Sequence, residues 1–268
     1  MSKISVIMGI YNVGDTLGEA LDSIFAQTYQ DFEVIMCDDG SDDNTLEIAN
    51  VYQEKYPNKI VILRNEKNMG LNHTLNRCLD KVTGEYVARM DGDDICIPTR
   101  FEKQVRFLQE NPDYAIVSSP MVYFDEKGDF GIGKAIEYPK REDFIVGNPF
   151  CHAPVMIRTE AYKKVGGYTV DKRMLRVEDV DLWFKLYEAG YKGYNIQEPL
   201  YKMRDDREAV SRRKFRYRVN STYTRIVGFR RLKMPLRYYP YTIKPILVGL
   251  LPVPLYRYFH KKKMKRRS

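Results

Sequence analysis

Three aspartates close together in this sequence could bind a metal ion. Asp91, Asp93 and Asp94 place three carboxylates within four residues, directly after an apolar stretch. Carboxylates this close repel one another unless a cation or hydrogen bonds offset the charge, and oxygen ligands of this kind suit Mg²⁺ or Mn²⁺. The same residues could instead form a solvated acidic turn that caps a following helix, so both interpretations stay open.

A second acidic segment ends another apolar stretch. Asp38 and Asp39 begin the run Asp-Asp-Gly-Ser-Asp-Asp-Asn. This run could be a turn followed by a helix whose N-cap is Asp42 or Asp43. Two acids at the end of a strand also offer hydrogen-bond acceptors to a nucleobase imide or to ribose hydroxyls. The sequence does not choose between capping and nucleotide binding.

Alternating strands and helices are predicted for the first 110 residues. Apolar runs predict strands at 4–8, 32–37, 60–63 and 86–90, and helical periodicity predicts helices at about 14–28, 43–56, 70–81 and 98–110. This alternation is typical of a parallel sheet covered on both faces, in which ligands bind beyond the carboxyl ends of the strands. We therefore expect Tyr11 and Asn12, which follow the first strand, to lie near both acidic segments.

The pattern becomes mixed beyond residue 112. Strands are predicted at 115–118 and 155–158, a hairpin around Lys127 and Gly128, and an amphipathic helix at 178–189. A chain of 268 residues can form one large domain with an appendage, or two small domains.

The charge of the chain is divided unevenly. Residues 1–203 carry 24 basic and 33 acidic side chains, a net charge of −9, whereas residues 204–268 carry 20 basic and 3 acidic side chains, a net charge of +17. We place a domain boundary here, with a domain at 1–204 and a basic, aromatic-rich helical extension at 205–268. The extension should face something anionic: a membrane surface, nucleic acid, or solvent counterions alone.

Several classes of protein are disfavoured. No GxGxxG follows the first strand and no GxxxxGK[ST] occurs, which argues against a Rossmann dehydrogenase and a P-loop NTPase. The four cysteines form no CxxC pair, so neither a zinc site nor a disulfide framework is indicated, and we expect reduced thiols in the cytosol. We expect no signal peptide, and the longest apolar run, 246–255, is shorter than the about 20 residues that a membrane span needs.

Seven ordered segments resemble the family 2 glycosyltransferases of the GT-A fold, of the bacterial surface-polysaccharide type. The segments are IYN (10–12), CDDGSDDNT (37–45), NMGLNHTLN (68–76), GEYVARMDGDD (84–94), FCHAPVMIR (150–158), GGY (166–168) and VEDVDLW (177–183). Each is weak by itself, but their order and spacing over roughly residues 3–204 are specific. The resemblance implies an α/β protein with a Rossmann-like, mostly parallel central sheet flanked by helices.

The resemblance also implies how a nucleotide-diphosphate sugar is bound. Tyr11 and Asp39 would hold the nucleobase, with Asp38 and Asn12 nearby. We expect UDP as the nucleotide that carries the sugar, because the resembling family commonly uses it.

A second part of the resemblance concerns the metal. Asp93 and Asp94 would contact the ribose and the Mg²⁺ or Mn²⁺ bound to the diphosphate, and Asp91 completes the acidic DxD element of the family.

The resemblance assigns the catalytic step to the third acidic segment. Asp179 would be the catalytic base, and Glu178 would help to place the acceptor or the base. The alternative is that both acids only favour a helix N-terminus through the macrodipole. His152 and Arg204 match positions near the acceptor or the diphosphate more loosely, and His152 could equally be a partly buried, hydrogen-bonded core residue.

The expected function is metal-dependent transfer of a sugar, with inversion, to a hydroxyl of a lipid-linked or polysaccharide acceptor of a cell-surface glycan. A nucleotidyltransferase and an inactive sugar-nucleotide-binding module are alternatives, but the first would carry a glycine-rich basic loop after the first strand and the second would lose acids at 91–94 or 179. For the extension, the resemblance favours an anionic membrane surface over nucleic acid. We expect a cytoplasmic protein, peripheral at the inner face of the cell membrane.

Overall fold

The structure is a computed structural model that describes residues 4–205 and 214–250. Its strands are β1 (Ile4–Ile10), β2 (Phe32–Asp38), β3 (Ile60–Arg64), β4 (Tyr86–Arg89), β5 (Ile95–Cys96), β6 (Tyr114–Ser118), β7 (Val122–Asp125), β8 (Gly128–Ile132), β9 (Met156–Arg158), β10 (Lys192–Asn195) and β11 (Tyr201–Arg204). Its α-helices are α1 (Gly14–Phe25), α2 (Thr45–Lys55), α3 (Leu71–Leu79), α4 (Arg100–Glu110), α5 (Thr159–Val165), α6 (Glu178–Glu188), α7 (Phe215–Arg231) and α8 (Lys244–Gly249).

The larger sheet has seven strands in the order β10-β6-β9-β4-β1-β2-β3. β1 pairs in parallel with β2 and β4, and β2 pairs in parallel with β3. β9 is antiparallel to both of its neighbours. A mostly parallel sheet flanked by helices is what the sequence predicted, and this part of the prediction is confirmed.

Alternate residues of β1 point into two cores. Val6 and Met8 join the core that α1 and α4 cover, whereas Ile7 joins the core that α3 and α6 cover. Because the strand is buried on both faces, it reads as a continuous apolar run rather than as an alternating one.

A smaller sheet lies beside the carboxyl end of β4. Its order is β5-β11-β7-β8, and β7 and β8 form the predicted hairpin. β5 follows Asp94 directly and pairs with β11 through Cys96 and Tyr201. This pairing brings the end of β11 back to the acidic turn 91–94.

The first described part of the basic extension packs on the domain. Phe229 on α7, together with Leu232 and Met234 after it, belongs to the core that contains α6. Gly228 permits this approach, since a β-carbon there would lie 2.1 Å from a ring carbon of Phe184. The basic cluster at 260–267 and the segment 206–213 lie outside the described residues.

Most helices begin or end within a few residues of the predicted positions. Helix α1 ends at Phe25 rather than near residue 28. α2 begins at Thr45, so its N-cap is Asn44 and the predicted cap at Asp42 or Asp43 was wrong; Asp43 precedes the cap, and its Oδ1 accepts from the Thr45 N–H at 2.9 Å. The boundary between 204 and 205 stays a prediction.

Candidate active site

The carboxyl ends of three parallel strands meet at one edge of the large sheet. Ile10 at the end of β1 pairs with Asp38 at the end of β2, and the Asp39 N–H donates to the Ile10 carbonyl at 2.9 Å. On the other side of β1, Ile7 pairs with Arg89, the last residue of β4. The acidic segments at 38–39 and 91–94 therefore begin on either side of the same strand.

A cleft of about 270 Å³ opens at this edge. Its lining includes Tyr11 and Asp39, which follow the strand ends, and also Arg176, Glu178 and Tyr217. Two of the three acidic segments, far apart in sequence, thus face one cavity. The volume is of the order that small-molecule sites occupy.

Tyr11 is positioned for contact with a ligand. Its side chain lies in the cleft and is 45% exposed. Asn12, the next residue, adopts a φ of 51°, in the left-handed region. Its N–H donates to Ser41 Oγ at 3.0 Å, and its Oδ1 accepts from the Asp42 N–H at 3.1 Å. Asn12 therefore ties the turn after β1 to the turn after β2.

Asp38 and Asp39 have different surroundings although both are buried. Asp38 Oδ1 accepts from the Ser41 N–H and hydroxyl at 3.1 and 2.5 Å, and Oδ2 lies 3.3 Å from Arg64 Nε without hydrogen-bond geometry. Asp39 accepts from Asn65 Nδ2 at 2.6 Å and from the backbone N–H groups of residues 69 and 70 at 2.8 and 2.9 Å. Asp38 thus holds its own turn, whereas Asp39 fixes the entry to α3 while lining the cleft.

The acidic turn 91–94 lies against the strand end that lines the cleft. A β-carbon at Gly92 would contact Ile10 and Val13, so the turn packs closely beside the end of β1. Burial, together with Asp91 and Asp93, raises the pKa of Asp94 to about 8. Burial and Asp91 also raise the pKa of Asp93. Burial and the crowding of the three acids thus both disfavour the ionised forms of Asp93 and Asp94.

These carboxylates fit a divalent cation that arrives with a diphosphate. Among residues 4–205 and 214–250, no three His, Cys, Asp or Glu side chains already converge as a metal cage. Mg²⁺ is commonly held by one or two carboxylates plus substrate phosphates rather than by an all-protein cage. Asp91, Asp93 and Asp94 would hold such an ion, whose positive charge would offset the repulsion among the three carboxylates.

Arg89 is a buried cation next to the acidic turn 91–94, and the sequence analysis did not identify it. Its Nη2 lies 2.5 Å from Asp91 Oδ1, and its Nε has no hydrogen-bond partner among the described residues. Although burial opposes its charge, Asp91 raises the pKa of Arg89 above its ordinary value. An arginine within the apolar run of β4, directly before the acids, is the signal that could have identified it.

Glu178 and Asp179 form the first turn of α6. Burial and Asp179 raise the pKa of Glu178 to about 7. Burial also raises the pKa of Asp179, while hydrogen bonds from the Val180 N–H and from Asn148, and the charge of Arg89, oppose the increase. Asn148 Nδ2 donates to Asp179 Oδ2 at 2.5 Å. Asp179 is therefore held in one orientation by a neutral donor that no sequence pattern singled out.

His152 and Arg204 have different hydrogen-bond partners. His152 Nε2 is 2.8 Å from the Tyr168 hydroxyl, and burial, with the charge of Arg89, lowers the pKa of His152 well below its usual value. The Arg204 N–H donates to Asp94 Oδ1 at 2.8 Å, and its Nε donates to the Asp93 carbonyl at 3.0 Å. Arg204 is thus bound to the acidic turn, whereas His152 is a neutral, half-buried side chain.

Comparison with known proteins assigns the family. The glycosyl transferase family 2 model matches residues 5–166. EpsE of Bacillus subtilis (strain 168), which carries a glycosyltransferase name, is 43% identical over 98% of this chain and 94% of its own length. The Escherichia coli UDP-Gal:alpha-D-GlcNAc-diphosphoundecaprenol beta-1,3-galactosyltransferase is 33% identical over 98% of this chain and 97% of its own.

Solved structures show the same fold. S. aureus TarS 1-349 in complex with UDP-GlcNAc matches with a TM-score of 0.72 and 20% identity, over 91% of this chain and 71% of that chain. The mannosyltransferase PcManGT from Pyrobaculum calidifontis, in complex with GDP-Man and Mn²⁺, matches with a TM-score of 0.63 and 17% identity, over 97% of this chain and 79% of that one. With the GT-A fold and the ordered motifs in place, this chain belongs to glycosyl transferase family 2 and is a glycosyltransferase.

Proposed function

We propose that this enzyme transfers a hexose or N-acetylhexosamine from a UDP-sugar to a hydroxyl of a lipid-linked or polysaccharide acceptor, with inversion at the anomeric carbon, during synthesis of a cell-surface glycan such as O-antigen, capsule or exopolysaccharide. The observation that carries the proposal is that Tyr11, Asp39 and Glu178 line one cleft, with Asp179 beside it. The names of relatives, which specify UDP-linked donors and diphosphoundecaprenol-linked acceptors, support the substrate classes.

The donor would bind along the strand ends. Tyr11 offers an exposed ring to the face of the nucleobase, and Asp39 and Asp38 offer carboxylate acceptors to its imide or to ribose hydroxyls. The diphosphate would lie toward Asp93 and Asp94. A bound Mg²⁺ or Mn²⁺ would neutralise charge on the departing nucleoside diphosphate.

Asp179 is the base in this mechanism. The hydroxyl oxygen of the acceptor bonds to the anomeric carbon while the hydroxyl proton passes to Asp179. At the same time, the bond between the anomeric carbon and the diphosphate oxygen breaks. Attack on the face opposite the leaving group inverts the configuration. An α-linked donor would therefore give a β-glycoside. Glu178 would place the acceptor or the base, and His152 and Arg204 would lie near the acceptor and the diphosphate respectively.

The test is the substitution Asp179→Asn, with Glu188→Gln as a matched control that removes a carboxylate from the exposed end of the same helix. With UDP-, GDP- and dTDP-sugars, Mn²⁺ and a synthetic GlcNAc-diphosphoryl lipid, we expect release of UDP by the wild type and a loss of about 10²-fold or more in turnover by Asp179→Asn. UDP affinity should be unchanged in both variants. A fully active Asp179→Asn enzyme would refute the base, and release of pyrophosphate would indicate a nucleotidyltransferase.

We also propose that the extension at 205–268 holds the enzyme peripherally at the cytoplasmic face of the membrane. Residues 209–268 contain no acidic side chain. Exposed apolar side chains accompany the basic ones, and Leu236, Leu247 and Leu250 are 83%, 59% and 67% exposed. Among the described residues, no helix is both long and apolar enough to cross a bilayer. Basic and apolar groups together favour an anionic membrane surface over nucleic acid.

Vesicle sedimentation tests this attachment. The full chain should sediment with vesicles that contain anionic phosphatidylglycerol, and serine at both Leu247 and Leu250 should weaken the binding. Serine at Val51, an equally exposed residue on α2, is the control and should have no effect. Equal binding of all three proteins, or binding to neutral vesicles only, would contradict the proposal.

A further inference from the structure

Helix α7 reaches the active site although it belongs to the segment predicted to be an appendage. Asn220 Nδ2 donates to the Leu175 carbonyl at 3.1 Å, in the segment directly before α6. Tyr217 lines the same cleft as Glu178. The next residue after Leu175, Arg176, has a φ of 65°, a conformation that a non-glycine residue adopts at a cost. The contact from α7 helps to hold this strained segment in place.

Arg225 lies further along α7, and one of its guanidinium nitrogens is held by a hydrogen bond. Its Nη1 donates to the Phe144 carbonyl at 2.6 Å, in the segment that leads to Asn148. Its Nε is buried and has no hydrogen-bond partner among the described residues. Burial lowers the pKa of Arg225, and Asp179 opposes this decrease. Arg225 thus binds the segment that leads to Asn148, the residue that donates to Asp179, and its charge interacts with that of Asp179.

The electrostatic surroundings of Asp179 come from several elements. The charge of Arg89 on β4 opposes the rise in the pKa of Asp179, Asp179 acts on the pKa of Arg225 on α7, and Glu178 is the adjacent acid. Asn148 supplies a neutral hydrogen bond, and the N-terminus of α6 adds a partial positive charge. A half-buried carboxylate that must be ionised to accept a proton depends on such compensation.

We infer that Arg225 is a positioning residue for catalysis: by its charge and by fixing the segment that carries Asn148, it keeps the Asp179 carboxylate ionised and oriented. The helix that carries it is therefore part of the catalytic domain as well as the start of the membrane-facing extension. The inference rests on the proposed role of Asp179 as the base.

The pH dependence of kcat/KM tests this role, because the acid limb reports ionisation of the base in the free enzyme. Without the cation at residue 225, the pKa of Asp179 should rise, so Arg225→Gln should move the acid limb to higher pH. Activity should recover toward the wild-type value above the limb, and UDP affinity should be unchanged. Arg225→Lys, which retains the charge, should restore most of the limb position.

Arg230→Gln is the matched control, since it removes the same charge from an exposed position on the same helix. Its acid limb should not move. Arg225→Met, which keeps the apolar stem of the side chain, gives a second variant if Arg225→Gln does not fold. A folded variant at residue 225 with an unmoved limb, or with equal loss of activity at every pH, would overturn the inference.

The two proposals can fail separately. If Asp179→Asn is inactive and the limb of the residue 225 variants is unmoved, only the role of Arg225 falls. If Asp179→Asn is fully active, the base itself is wrong.

Discussion

Replacing Gly228 by alanine tests whether α7 is packed on α6. The added β-carbon would lie 2.1 Å from Cδ2 of Phe184 and 2.3 Å from two further ring atoms, whereas ordinary contact begins near 3.4 Å. The ring would therefore have to move by at least 1.3 Å, the difference between 2.1 and 3.4 Å. It is fully buried between Phe144, whose ring centroid is 4.7 Å away, and Phe229, at 6.2 Å.

The expected cost follows from two opposing effects. Overpacking of a filled core destabilises a protein by about 1–3 kcal/mol, and alanine in place of glycine within a helix stabilises it by roughly 0.5–1 kcal/mol. Because the ring must move by more than 1 Å, the upper half of the overpacking range applies, about 2–3 kcal/mol, and the free energy of unfolding should fall by about 1–2.5 kcal/mol. For a chain of this size, each kcal/mol corresponds to about 2–4 °C, so Tm should fall by about 2–10 °C.

Thermal unfolding followed by circular dichroism gives the measurement. Gly147→Ala is the control because nothing lies within 4 Å of its added β-carbon, and its Tm should stay within about 2 °C of the wild type. If Gly228→Ala melts with the control, Phe184 and α7 are not in contact and the position assigned to Arg225 loses its support.

Three further predictions concern the acidic segments. Because the pKa of Glu178 rises from 4.5 to about 7 on folding, the folded state retains a proton that the unfolded state releases, and stability is lost as pH rises between these values; the Tm of the wild type should fall over this interval relative to Glu178→Gln, and parallel curves would disprove the shift. EDTA should abolish turnover in the wild type and in Asp113→Asn, a control at an exposed acid, and excess Mn²⁺ should restore it in both. Mn²⁺ should not restore turnover in Asp94→Asn, and full restoration there would show that Asp94 does not bind the metal. Asp39→Asn should weaken UDP binding by about tenfold or more, since an amide cannot satisfy three N–H donors; calorimetry that gives an unchanged Kd would contradict a role in the nucleotide site.

Much of the fold could be read from local sequence. Apolar runs located β1, β2, β3 and β4, and helical periodicity located the helices between them. Both signals can be read locally, because the apolar pattern repeats along the length of each strand or helix. The parallel arrangement then placed the acidic segments at one edge. Helix ends were located less closely, since a terminal turn depends on contacts such as that between Asp43 and the start of α2.

Contacts between distant segments could not be read in this way. Asn148 is 31 residues from Asp179, and Arg225 binds the Phe144 carbonyl from a helix that local composition assigned to a basic tail. Nothing in the periodicity of either segment specifies its partner. The sequence nevertheless contained one unused signal, the arginine at 89 within an otherwise apolar strand.

By itself, the sequence determined the sheet, the edge at which ligands bind and the acids that gather there, because strand period and parallel connection are local properties. The tertiary structure decided which neutral and cationic groups surround Asp179, and that α7 joins the core. Charge compensation and close packing depend on atoms that meet only when the chain is folded, so Asn148, Arg225 and Gly228 acquired their roles from the fold.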